Sequence, residues 1–436
     1  MSLFDSTCII VGIIVGAGIF ETAPTVAGAM GAAGGILGIW LVGGLMALAG
    51  ALCYAELATA YPHQGGDYVY LNRAYGSWAG YLFGWSQLAI IRPGDIALMA
   101  FIFARYAQTL YAPFPGTGVF YAILAVVGLT TINILGVQEG KWTQNLLTVA
   151  KAAGLLLIVA AGLLGRGTQD AGGEAGTMTL GGVPLALILV MFTFGGWNEM
   201  AYVSAEVKRP EKNIARALVL GTAAVTLLYL GVNGAYLSVL GAKGMASSSA
   251  VAVDTVAPVL ADIAARAVSV LICISALGAV NGLVFTGARI SYAMGVDHPV
   301  FSRMGRWSER FGTPVWALVV QGILSIAIIV LAGSFIDTIL YTAPVVWLFF
   351  LATGISVFVL RRFEPETPRP FKVIGFPVTP VLFCACAAFM LYSCVTYAYT
   401  QKPVGLLLLS SVVIAGVVLY IVTHRSGNAT REELEP

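Results

Sequence analysis

The chain has 436 residues, 58% of them hydrophobic and 10% charged, with a formal net charge of +2. Soluble domains carry about 25% charged residues, and a mean hydropathy of +0.88 belongs to a polytopic membrane protein. The near-neutral balance, without a basic patch interleaved with aromatics, argues against nucleic-acid binding. The absence of Cys/His groups at ligand spacing argues against a structural metal.

A helical span needs ~20 apolar residues. Such stretches recur twelve times, at residues 7–30, 35–60, 77–110, 118–136, 143–165, 182–207, 213–240, 263–293, 314–332, 335–361, 376–397 and 404–423. The chain therefore reads as an all-α integral membrane protein, one transmembrane domain over residues 1–436. No basic segment precedes the first stretch, since the first Lys or Arg is Arg73, so it reads as a span and not as a leader. Residues 166–181 form a polar connection, and residues 241–262 a second loop long enough for a short helix. The six cysteines lie in apolar runs with no CxxC and read as packing residues. With the N-terminus inside, sixteen Lys and Arg fall on the cytoplasmic side and five outside, while Arg92 and Lys151 fall within spans. That asymmetry predicts cytoplasmic termini, with a short tail over 424–436.

Two spans carry glycines near their middle. "VGAGIFETAP" (15–24) places Gly16 and Gly18 in span 1, and "MFTFGGWNEM" (191–200) places Gly195 and Gly196 in span 6. A helix-interior glycine costs ~1 kcal/mol against alanine, and one such site is explained by close packing. Two mid-span sites five spans apart point instead to an inverted repeat, because an odd offset turns the second half over. Unwound backbone at membrane depth must line a cavity. Its free N–H groups favour an anion and its free carbonyls an ammonium. A ligand that carries both is the zwitterionic head of an α-amino acid.

Around these breaks the chain resembles the amino acid–polyamine–organocation superfamily, closest to its L-type amino acid transporter branch in prokaryotic form. The resemblance rests on "IIVGAGIF" (13–20), "ALCYAELATAYPHQGGDYVY" (51–70), "IIRPGD" (90–95), "FTFGGWNEMAYVSAEVKRPEKNIARAL" (192–218), "GAVNGLVFTGAR" (278–289) and "RPFKV" (369–373). It implies a LeuT-type fold of twelve helices, with helices 1 and 6 unwound at mid-membrane. Repeat one covers 7–165 and repeat two 182–361, and the peripheral helices lie in 376–423. By position, amides around Gly16, Ala17, Gly18 and Ile19 would hold the substrate carboxylate. Carbonyls of Ile14, Phe192 and Gly195 would take the ammonium, with Gly196 in the break and Asn198 beside it. Phe192 would close over the substrate as a gate. The loop "YAPFPGTG" lacks the cysteine by which heteromeric members link a glycoprotein, so no disulfide-linked heavy chain is expected.

Ionisable residues within spans are candidates for function. Lys151 lies roughly eight residues into span 5, ~12 Å deep, far for a snorkelling side chain. The resemblance implies that its ammonium replaces a sodium ion between helices 1 and 8. Arg92 and Asp95 are three apart and share a helical face, which suggests mutual pairing. Glu199, next to Asn198, and Asp95 are candidates for proton or specificity roles. Glu21 is expected near the outer vestibule, and Glu56 and Glu206 as anchors of inner loops. The leading reading is a sodium-independent exchanger or facilitator of neutral L-amino acids in the plasma (inner) membrane, without a cofactor. The alternative is a proton-coupled symporter of the same fold that accepts cationic substrates. A membrane enzyme is remote, because no nucleophile–base set or paired catalytic carboxylates are evident.

Overall fold

The computed structural model describes residues 1–164, 182–331, 335–401 and 403–432. The predicted connection at 166–181 lies outside them. The chain runs α1 (Leu3–Ile14), α2 (Gly18–Glu21), α3 (Ala23–Met30), α4 (Ala33–Ala60), α5 (Asp67–Tyr75), α6 (Ser77–Ser86) and α7 (Arg92–Leu110). It continues through α8 (Thr117–Leu135), α9 (Val137–Leu164), α10 (Gly182–Thr193), α11 (Pro210–Ser247), α12 (Val251–Leu260) and α13 (Ala264–Asp297). It ends with α14 (Val315–Leu331), α15 (Phe335–Phe363), α16 (Val378–Gln401) and α17 (Pro403–Glu432). Among the described residues there is no strand, only an isolated bridge between Ser308 and Thr313.

Nine helical stretches among the described residues are long and apolar enough to cross a membrane, so the protein is a multi-pass membrane protein. The predicted spans 182–207, 314–332 and 404–423 correspond to shorter apolar helices. For the first of these the reason is local. α10 stops at Thr193, and the chain passes through a turn into a 3₁₀ helix, Glu199–Glu206. Span 1 is likewise divided, since α1 stops at Ile14 and regular helix resumes at Gly18.

Burial ranks the helices by position. In the stretch Leu3–Glu21 and in α13, 78% of the apolar window is buried inside the protein, against 33% in α8 and α9. The broken first helix and α13 are therefore central, and α8 and α9 turn one side to lipid. Leu156 and Leu157 of α9 are exposed on that side. Membrane bundles gain little from hydrophobic contrast between helices and pack through small residues. Gly44 of α4 sits against Thr226 of α11, and Gly162 of α9 against Ala235. The helix predicted for the second outer loop is α12, which follows a kink at Gly241 of α11.

Candidate functional site

The two breaks lie against each other. A Cβ on Gly18 would stand 2.9 Å from Thr193 Oγ1. A Cβ on Gly196, whose φ of +108° already disfavours a side chain, would stand 2.5 Å from Ile13 Cγ2. Glycine is thus required where half-helices from two different spans cross. Beside this crossing lies a cavity of about 160 Å³ lined by Ile14, Gly16, Gly18, Phe192, Gly195, Gly196 and Asn198 among others. By the measure on which one water needs about 15 Å³, it has room for roughly ten water-sized positions.

The backbone at the first break carries free donors. The amides of Ala17, Gly18 and Ile19 meet no acceptor among the described residues, while those of Phe20 and Glu21 return to Ala17 O. Ala17 and Ile19 are fully buried and do not line the cavity, whereas Gly18 between them does. The expected acceptors differ from one another. Phe192 O receives Gly195 N–H at 2.9 Å and keeps one lone pair. Gly195 O accepts no hydrogen bond among the described residues. Ile14 O is already taken by Gly16 N–H at 2.7 Å and by the Tyr229 hydroxyl at 2.8 Å. It has no lone pair left for an ammonium in this conformation. Tyr229 also reaches Thr193 O at 3.3 Å and so bridges both breaks.

Lys151 does not line the cavity. Its ammonium is fully buried behind the first break and donates to Gly12 O at 2.7 Å, Val15 O at 2.8 Å and Ser275 O at 2.9 Å. The Ser275 hydroxyl of α13 donates to Val15 O at 2.9 Å and Gly16 O at 3.1 Å. The carbonyls orphaned where α1 ends are thus satisfied by one ammonium and one hydroxyl, as buried backbone demands. A cation at this point holds the end of α1 to α9 and α13.

The pairing expected between Arg92 and Asp95 is not what forms. Arg92 Nη1 donates to both carboxylate oxygens of Glu199 at 3.0 Å, and the Thr286 hydroxyl donates to Glu199 at 2.5 Å. A long guanidinium reaches a carboxylate on a neighbouring element more easily than one a single turn away on its own helix. Asp95 is left on the cavity wall with no hydrogen bond among the described residues. Behind this wall a chain of polar groups leads toward the loop helix α5. Asn198 Nδ2 donates to the Tyr202 hydroxyl at 2.8 Å, and Tyr202 donates to Asp67 Oδ2 at 2.7 Å. Asp67 Oδ1 accepts from Thr353 at 2.5 Å and from Tyr54. Asp67 is the first residue of the loop helix α5. Burial raises its carboxyl from 3.8 to about 6, against the opposing pull of these three hydroxyls.

At the end of α2, Glu21 is bound by Arg105 and accepts from Tyr106 at 2.7 Å, which ties α2 to α7. Glu56 is 1% exposed and holds Arg361, Arg369 and the Val373 amide. Glu206 holds Arg289 at 2.8 Å. These are the anchors that loop position suggested. Sequence reasoning missed Tyr229, Ser275, Gln87 and Asp67. Ser275 and Gln87 were visible as polar residues inside apolar spans, and Asp67 as an acid after a Gly–Gly turn. A tyrosine among many, Tyr229 carried no signal.

A profile described as "Amino acid permease" matches residues 1–422. The chain belongs to the amino acid permease family. The human b(0,+)-type amino acid transporter 1 is 33% identical over 403 residues, 89% of this chain and 81% of that protein. The rabbit (Oryctolagus cuniculus) protein of that name is 32% identical over 382 residues, 86% and 78% of the two chains. The human large neutral amino acids transporter small subunit 2 is 31% identical over 438 residues, 96% and 79%. This permease is thus matched along nearly its whole length by proteins named as transporters, and it is not an enzyme.

Proposed function

We propose that the permease is a secondary transporter of neutral L-amino acids that works by alternating access as a sodium-independent exchanger. The observation that carries this reading is the crossing of the two breaks at one small cavity. Gly18, which lines it, and its neighbours Ala17 and Ile19 carry amides with no acceptor among the described residues, and Gly195 and Phe192, which also line it, carry carbonyl oxygens. Successive free N–H groups at the start of a half-helix suit a carboxylate. Carbonyl oxygens across the cavity suit the adjacent ammonium. No covalent step is needed, because substrate binding energy draws the half-helices together. Phe192 lines the cavity half-buried and serves as the outer gate.

Sodium independence rests on Lys151. An ammonium with three backbone acceptors leaves no room or need for a metal ion between α1 and α13. The relatives' names, b(0,+)-type amino acid transporter and large neutral amino acids transporter, support the substrate class. The segment between α7 and α8 (111–116) has no cysteine, and this chain functions without a disulfide-linked heavy chain. The excess of Lys and Arg supports an orientation with both termini cytoplasmic in the plasma or inner membrane. The five-span offset of the breaks supports the repeats 7–165 and 182–361.

Thermal shift of the purified protein against the twenty amino acids tests the reading. Neutral L-amino acids are expected to raise the melting temperature while their decarboxylated amines do not. Equal stabilisation by the amines contradicts the assignment of the amides.

A further inference from the structure

The wall of the cavity built by the third span carries polar groups that recognition of an amino acid head leaves unused. The cation there, Arg92, spends Nη1 on both oxygens of Glu199. Asp95, one turn further along, lines the cavity and takes no donor among the described residues. Gln87 lines the same cavity, is 7% exposed, and its Oε1 is buried without a donor. Between them the helix passes through a π-helical turn, Gln87–Ile91, a feature found mostly at functional sites. Gln87, Ile91, Arg92, Asp95, Leu98 and Met99 all face the cavity.

The charges do not balance. Arg92 and Glu199 are the charged groups that act on Asp95. Every other element on the cavity contributes neutral groups: Ile13 from α1, Phe192 from α10, Leu283 from α13, Thr342 from α15 and Cys394 from α16. Tyr202 faces the guanidinium at 5.4 Å and donates its hydroxyl hydrogen bond to Asp67. One guanidinium against two carboxylates leaves one uncompensated negative charge at membrane depth, which is costly unless a cation or a proton meets it.

We propose that Asp95 and Gln87 form the side-chain subsite of the amino acid site and that this subsite takes one positive charge in each transport step. The charge is the side-chain ammonium of a cationic amino acid such as lysine, or a proton on Asp95 when the amino acid is neutral. The proton is taken from water on the side where the neutral substrate enters and released on the side where it leaves. Every loaded carrier then has the same net charge, whichever substrate it holds. The inference rests on the transport reading above and specifies its substrate class and its coupling.

The test is exchange in proteoliposomes that contain a pH-sensitive dye. With lysine inside and alanine outside, the lumen is expected to acidify in step with alanine entry, one proton for each alanine. Lysine-for-lysine and alanine-for-alanine exchange should leave the lumen pH unchanged. In Asp95→Asn, alanine entry should no longer carry a proton, and the potency of lysine relative to alanine should fall about tenfold or more. Gln87→Leu should weaken lysine competition in the same sense, and it provides a second variant if Asp95→Asn does not fold. Alanine-for-lysine exchange without acidification, or an unchanged lysine-to-alanine preference in both variants, overturns the subsite and leaves the transport reading standing. No counterflow of any amino acid by the parent overturns the transport reading, and the subsite with it.

Discussion

Lys151 donates three hydrogen bonds from one buried nitrogen, to the carbonyls of Gly12, Val15 and Ser275. Its removal takes a donor from each of these carbonyls and leaves Gly12 O with none among the described residues, at ~1–3 kcal/mol for a buried unsatisfied group. Lys151→Ala is therefore expected to reach the membrane but to lose about nine-tenths or more of its transport, a tenfold effect. Its melting temperature should also fall. Surface detection, uptake and thermal unfolding measured together check this, and a fully active variant contradicts it. The glycines of the breaks are not equivalent. A side chain at Gly196 meets Ile13 at 2.5 Å and a left-handed φ, whereas one at Gly195 meets only Phe192 O at 3.0 Å. Gly196→Ala should abolish substrate-induced thermal stabilisation, and Gly195→Ala should weaken it less. The reverse order would mean that the crossing of the half-helices does not depend on Gly196. The glycines and Lys151 were legible from sequence because a glycine pair and a charge are rare at mid-span. The pairing of Arg92 with Glu199, instead of with Asp95, was not. Helical spacing reports neighbours along one helix, and the partner came from another element 107 residues away.

At the scale of elements, the broken helices are held at their two ends by different chemistry. α2 is tied to α7 by Glu21, Arg105 and Tyr106. The loop helix α5 is tied to α4, α15 and the 3₁₀ segment by Asp67 and its three hydroxyl donors. Asp67 also gives stability a pH dependence with a definite sign. Its carboxyl is raised from 3.8 to about 6 by burial. The protonated form is therefore favoured in the folded protein, and the contribution of this group is full below pH 3.8 and lost as pH rises through about 6. The melting temperature of the parent, compared with Asp67→Asn, should fall more steeply between those values. Parallel profiles would remove Asp67 as the cause. Phe192→Ala should slow transport more than it lowers stability, because the cavity beside it already lacks packing atoms; normal uptake by that variant would refute the gate. The spans of α4, α7, α8, α11 and α13 were legible because length and apolarity suffice to mark them. The ends of α1 and α10 fell short of their predicted spans because hydropathy is blind to backbone hydrogen bonding. Ile14 and Thr193 are as apolar or as small as their neighbours, yet helix stops at each.

For the whole molecule, central and peripheral helices are separated by burial, and the site lies among the central ones. The first broken helix touches α9, α11 and α13. Its end is fixed by an ammonium where a carrier driven by sodium would need a metal ion. On the proposed reading the cation is built into the chain, so the cycle depends on substrate on both sides and not on a sodium gradient. Counterflow of a radiolabelled neutral amino acid into proteoliposomes preloaded with the unlabelled compound, run in sodium and in choline buffers, tests that claim most directly. Equal counterflow in the two buffers is the expected result. Counterflow only in sodium would mean that Lys151 does not replace the ion, and absence of counterflow in both would contradict amino acid exchange itself.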